Sequence, residues 1–189
     1  MQKIHSANQL SGRAVGSMFF SVFGAIWILL SLYAGQMLRP ATVSLTLLAA
    51  CVLLLPALYL MRQSSRWPRV PDDPAMGRAF AWINAIQWVV IAGVAFSFAK
   101  LHIDAYVMNA IAAVVGLHLF PLARLFRYPL HYAFGAVLIA WASGSALIIP
   151  ADRLQGTAAL GTGLILWLSA AVTVFVALQA ARQPSPLPS

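Results

Sequence analysis

Six stretches of this chain, roughly residues 14–38, 42–61, 79–99, 105–126, 130–149 and 157–180, are predominantly apolar, and none contains an Asp or a Glu. An α-helix needs about 20 such residues to cross the ~30 Å hydrocarbon core of a bilayer, and each stretch is that long. The constraint is severe, because such a chain has little to present to water: 8% of its 189 residues are charged, against about 25% in soluble domains. Hydrocarbon is the solvent in which a helix can be apolar all round. The sequence predicts an all-α integral membrane protein with six transmembrane helices and a single domain over residues 1–189.

The breaks between the stretches carry residues that stop a helix or prefer the interface. They are Arg39-Pro40, the segment from Arg62 to Arg78, Lys100 to Asp104, Arg127-Tyr128-Pro129, and Pro150 to Arg153. Pro cannot continue a helix, and charge is cheaper outside hydrocarbon. With alternating crossings, Lys3, Arg13, Arg62, Arg66, Arg69, Arg78, Arg124, Arg127 and Arg182 fall on one side and Arg39, Lys100 and Arg153 on the other. The positive-inside rule then places both termini in the cytoplasm. Residues 1–13 are polar and basic, as in a signal peptide, but the run that follows exceeds the 7–15 residues of a cleavable apolar region. It reads as a retained helix.

The connections are too short for a soluble domain, so any activity lies within the membrane or at its surfaces. Segment 62–78 is a cytoplasmic loop whose prolines, Pro68, Pro71 and Pro74, disfavour helix. The tail 182–189 is proline-rich and irregular. One echo runs through the chain. Phe23-Gly24-Ala25 leads to Pro40-Ala41, and Phe134-Gly135-Ala136 leads to Pro150-Ala151. The six spans can be grouped as three in-out-in hairpins, the first and third related; chance similarity between apolar sequences explains the echo as well.

Polar groups inside the spans carry what functional signal there is. Counting back from a turn near His102 puts Gln87 level with His118, and Asn84 lies one turn from Gln87 on the same face. Ser17, Ser21, Ser169 and Thr173 fall in the same half. A polar group facing hydrocarbon without a partner costs roughly 2–7 kcal/mol, so these side chains should turn inward and meet. Two readings stand. They line a polar cavity open to the cytoplasm, with His118 as a binding or proton-accepting group and Arg124 at the mouth. Alternatively they are interhelical hydrogen bonds that hold the bundle, worth about 0.6 kcal/mol each. Pro121 frees the carbonyl of Leu117 and should kink the fourth helix or end its regular part. Arg124 and Arg127 are expected to snorkel to the headgroups. His131, Tyr128 and Tyr132 are expected at the interface, Cys51 as a buried thiol, and Asn109 and Gln36 as partners in the outer leaflet.

Small residues suggest close packing: Ala136, Ala140 and Gly144 recur every four residues, and Gly156, Gly161 and Gly163 open the last helix. They serve either packing within the bundle or a homo-oligomer. Trp27, Trp88, Trp141 and Trp167 lie near mid-depth, as packing groups or as the wall of an aromatic cavity. The net charge of +8 is dispersed along the chain, which argues against nucleic acid and for contact with anionic headgroups. His102, Asp104 and Asp152 do not have the spacing of a metal site. No G-x-S-x-G, H-E-x-x-H, P-loop or C-x-x-C motif occurs, and no enzyme, cofactor or metal is expected.

The segment Gly116-Leu117-His118-Leu119-Phe120-Pro121-Leu122-Ala123 resembles a G-x-H-x-x-P-L-A stretch in small bacterial integral membrane proteins of similar length. The resemblance implies a multi-pass protein of the bacterial inner membrane and brings no activity, substrate or site residues. The sequence thus points first to a small transporter- or channel-like protein for a neutral or anionic solute, at Asn84, Gln87, His118 and Arg124. The alternative is a non-transporting assembly protein that packs with a partner through small-residue faces.

Overall fold

A computed structural model describes residues 7–66, 71 and 73–181; Lys3, Trp67, Pro68, Arg69, Asp72, Arg182 and the rest of the tail lie outside the described residues. The helices are α1 (Ala7–Ala34), α2 (Pro40–Ser64), α3 (Pro74–Lys100), a 3₁₀ turn η1 (Asp104–Tyr106), α4 (Val107–Leu125), α5 (Leu130–Ile148) and α6 (Ala151–Ala181). All six α-helices are long and apolar enough to cross a membrane.

Several helices outrun their apolar cores. α1 begins at Ala7 rather than at the apolar edge, because Leu10 is fully buried against Ala57, Leu60, Val174 and Ala177. Pro40 and Pro74 open α2 and α3 from the first turn, where the missing N–H has no intrahelical partner to lose. Asp73 accepts from the Ala75 N–H at 2.8 Å and caps α3. As a result Arg62 and Arg78 sit on helices rather than in the loop. Pro121 does not end α4, which runs on to Leu125 with Leu117 and Pro121 on its exposed side.

Three helices end alike. In α1, α3 and α4 the chain closes a Schellman turn with a non-glycine residue in the left-handed region: Gln36 at φ 54°, His102 at φ 55° and Arg127 at φ 50°. The signature bonds are Met37 N–H to Leu32 O, Ile103 N–H to Phe98 O, and Tyr128 N–H to Ala123 O, at 2.8, 3.1 and 2.9 Å. A side chain held there costs roughly 1–2 kcal/mol, which glycine relieves at some loss of chain entropy. Gln36→Gly and His102→Gly should therefore each stabilise the protein by about 0.5–1 kcal/mol; a lowered thermal midpoint in detergent would contradict this.

Consecutive helices are antiparallel, and α6 is the hub, packing on α1, α2, α4 and α5. α1 and α6 cross where Gly24 faces Gly163, with the Trp167 indole lying on Gly24. α4 and α5 cross where Gly116 faces Gly135. The two Phe-Gly-Ala segments thus supply a glycine to each crossing. Trp141 lies on Gly161 and joins α5 to α6. Its Nε1–H donates to Ala158 O at 3.2 Å, and Trp167 Nε1–H donates to Ser21 O at 3.0 Å. In both pins the accepting carbonyl lies three residues before the glycine under the ring. Of the two uses open to the stripe Ala136, Ala140 and Gly144, packing within the bundle is not the one seen: it faces outward, with open space beside Gly144, and α5 packs through Phe134, Gly135, Leu138, Ala142 and Ser145. Cys51 is exposed, not buried.

The described bundle has a basic end, with Arg13, Arg62, Arg66, Arg78, Arg124 and Arg127, and a far end with Arg39, Lys100 and Arg153. α2 lies against α1 and α6, and α3 lies outermost, against α4 and η1.

Candidate functional site

The turn that follows α4 positions the most polar part of the interior. The Schellman closure at Arg127 reverses the chain tightly, and Pro129 leads directly into α5. Tyr128 is thereby turned inward rather than left at an interface and is 6% exposed. Its hydroxyl donates to Thr173 Oγ1 on α6 at 3.3 Å. The guanidinium of Arg13, from α1, lies 5.0 Å from the centre of the Tyr128 ring, within cation–π range. Burial pushes the Tyr128 phenol pKa up, opposed only in part by the Thr173 hydrogen bond and the Arg13 charge, so it remains a neutral donor.

His131 occupies the first turn of α5, 9% exposed, between two aromatic edges: Tyr128 at 4.9 Å and Phe20 of α1 at 5.8 Å, both near perpendicular. Its Nδ1 is buried and has no hydrogen-bond partner among the described residues. His118 of α4 lies on the same side of the Gly116–Gly135 crossing as His131. Three helices therefore meet around Tyr128 of the turn at the basic end, with Arg13 from α1, His131 from α5 and Thr173 from α6, and His118 of α4 lies toward the same end. Its members are a cation, two imidazoles and two hydroxyls. With no carboxylate in the six apolar stretches, such a set favours a ligand that accepts hydrogen bonds or carries negative charge.

No protein-family model, curated protein or solved structure matches this chain. The site is legible only from its own geometry.

The residues singled out from the sequence are distributed as follows. Asn84 and Gln87 are half-buried on the face of α3 that rests on α4. Phe80 touches Phe126 at 5.7 Å, a register that puts Gln87 level with His118 and Leu119. Asn84 Nδ2 donates to Phe80 O of its own helix at 2.8 Å, and Gln87 has no hydrogen bond among the described residues. His118 is half-buried and lies toward the same end as the cluster above. Arg124 is exposed on the last turn of α4, as a snorkelling arginine would be. No hydrogen bond links these four among the described residues. A groove of about 380 Å³ opens between α1 and the start of α2 near the far end, lined by Ile26, Leu29, Leu30, Tyr33, Leu38 and Val43; it is apolar and is not the polar cavity expected beside His118.

The inward hydroxyls do not meet one another as expected. Ser17 bonds to Arg13 O, Ser21 to Ser17 O and Ser169 to Ile165 O, each four residues back on its own helix. Such a bond satisfies the hydroxyl without a neighbour and leaves the helix faces smooth for close packing. Gln36 and Asn109 are not partners either. Asn109 donates to Ala142 O at 2.9 Å and Ser145 Oγ at 2.8 Å on α5, while Gln36 caps α1.

Arg13, Tyr128 and His131 were not legible as a site, although a signal for His131 existed. It shares the spacing of Phe134, Leu138 and Ser145 on the buried face of α5. A histidine at that register in a span faces the bundle, not the headgroups.

Proposed function

We propose that this chain is a small transporter-like membrane protein that handles a small neutral or anionic solute at a polar site in the cytoplasmic half of its bundle. The observation that carries the reading is His131: nine-tenths buried between Phe20 and Tyr128, its Nδ1 without a partner among the described residues, against the same Tyr128 that Arg13 and Thr173 contact. An unsatisfied imidazole nitrogen in a membrane bundle is costly and is the kind of group that marks a solute or ion path. His118 is where this cluster meets Asn84 and Gln87, and exposed Arg124 stands near its mouth as an attractor of anions. The bias of Lys and Arg between the loops supports assignment of the basic end to the cytoplasmic side of the membrane.

The test is uptake by proteoliposomes of labelled phosphate, small carboxylates and small polyols. His131→Leu should lower uptake of the accepted solute by roughly tenfold or more, the loss of one good polar contact, with a thermal midpoint within a few degrees of the parent. Undiminished uptake by folded His131→Leu, or uptake of none of these solutes, would refute the reading.

A second reading, a non-transporting assembly protein, is favoured by one observation: Ala136, Ala140 and Gly144 present a small-residue face outward, with open space beside Gly144. It requires a second membrane protein that co-purifies with the parent and is lost from Gly144→Leu.

A further inference from the structure

The helices of the central knot are interlocked. α1 and α6 share the Gly24–Gly163 crossing and the Trp167 pin, α4 and α5 share the Gly116–Gly135 crossing and the Asn109 bonds, and α5 and α6 share the Trp141 pin. α2 buries Ala57 and Leu60 completely. α3 has none of these attachments. In its 27 residues no residue is buried, and a Cβ at Gly77 or Gly93 would meet nothing within 4 Å. Among the described residues no hydrogen bond joins α3 to α4. Its two span amides are not engaged across the seam: Asn84 is turned back on Phe80 O, and Gln87, half-buried on the α4 side, has no hydrogen bond.

The two ends of α3 differ. At the far end the connection to α4 is tied down, because the 3₁₀ turn packs on α6 and Gln155 Nε2 donates to Asp104 O at 2.7 Å. At the basic end the seam is closed by apolar contact alone, the tilted rings of Phe80 and Phe126 and the packing of Ile83 on the core. A partner seated on the outer face of α3 would not reach Gln87, which faces α4. Something admitted between α3 and α4 would.

We propose that α3 is a gate: it pivots on its anchored far end and swings away from α4 at the basic end, opening a polar seam along Gln87 that leads to His118. The inference rests on the solute-handling reading of the His118–His131 cluster, and it deepens that reading by assigning the route. Dispersion alone holds the seam, so a minor open population of the size common in two-state proteins suffices. In the closed state Gln87 is left without a hydrogen bond, and opening lets water or a polar solute supply one.

The experiment uses the full chain in liposomes with exposed Cys51 replaced by Ser. Gln87→Cys and Val89→Cys are compared for reaction with a charged methanethiosulfonate. Val89 lies at similar depth on the outward face and is 71% exposed. Gln87→Cys should react roughly tenfold faster or more, as expected of a group wetted in a minor open state. Spin-label pairs then read the hinge. Met76→Cys with Tyr132→Cys at the basic end should give a broad or two-peaked distance distribution, and Lys100→Cys with Arg153→Cys at the far end a narrow one. Equal labelling of Gln87→Cys and Val89→Cys, or equal widths at the two ends, overturns the gate whether or not His131→Leu loses uptake. Fast labelling of Gln87→Cys together with full uptake by His131→Leu leaves the gate standing and removes the proposed solute site.

Discussion

Gly163→Leu is expected to destabilise the bundle by about 3 kcal/mol or more, the upper range for forcing atoms into a packed interior. A Cβ at Gly163 would stand 2.8 Å from Gly24 O and 2.6 Å from an Ile28 side-chain carbon. The carbonyl belongs to helix backbone and cannot step aside, so α1 and α6 must separate along the pair that organises the hub. Gly135→Leu should behave alike, since its Cβ would lie 2.6 Å from Gly116 O and 3.0 Å from the Phe120 ring. The helix-propensity gain of Leu over Gly, about 0.8 kcal/mol, is far too small to compensate. Gly93→Leu and Gly144→Leu supply the contrast, because nothing lies within 4 Å of a Cβ at either position. Both should be neutral or slightly stabilising. Unfolding in mixed micelles by added SDS measures all four. Equal effects in the two pairs would mean that the glycine crossings do not hold the fold.

Trp167→Ala and Trp141→Ala should each cost about 2–4 kcal/mol, somewhat below the range for fully buried aromatics because both rings are half-buried. The loss is chiefly dispersion: lipid is as apolar as the ring it would touch, so shape fit rather than transfer from water stabilises the contact. Each variant leaves a bare glycine and removes one N–H donor. The hydrogen bond itself is worth about 0.6 kcal/mol, so Trp167→Phe should be much milder than Trp167→Ala. Trp82→Ala and Trp88→Ala, at 70% and 58% exposure, should stay within about 0.5 kcal/mol of the parent. A double-mutant cycle sharpens the test. A Cβ at Gly24 collides with the Trp167 ring, so Gly24→Ala should be markedly less damaging once Trp167 is Ala. Additive losses would show that the ring does not sit on Gly24.

The coarse fold was written in the residue pattern because its cause is local. Each apolar run needs only its own length and its flanking Pro or Arg to be read as a crossing, and all six appear as helices. The helix ends were less legible. Leu10 extends α1 by packing with residues far away in the chain, and Gln36, His102 and Arg127 take left-handed positions without being glycine. The site divides in the same way. His118 was visible as an ionisable group where only hydrocarbon was expected. The inward turn of Tyr128 and the burial of His131 depend on how α4 closes and on what α1 and α6 bring to that place. In water, hydrophobic spacing usually tells which face of a helix is covered. In these spans both faces are apolar, so that guide weakens, and the residue pattern leaves open whether Ala136, Ala140 and Gly144 face the bundle or a partner.

The sequence by itself determined six helices long and apolar enough to cross a membrane, the core of each though not its ends, and which end of the bundle is more basic. These follow from the cost of exposing backbone and charge to hydrocarbon, a quantity each residue carries alone. Only the tertiary structure decided which glycines touch, which tryptophans pin, that α3 is left outermost, and that Arg13, Tyr128, His131 and Thr173 gather in one place. Among helices that are greasy on every side, partners are chosen by shape at close range, and shape exists only once the chains have met.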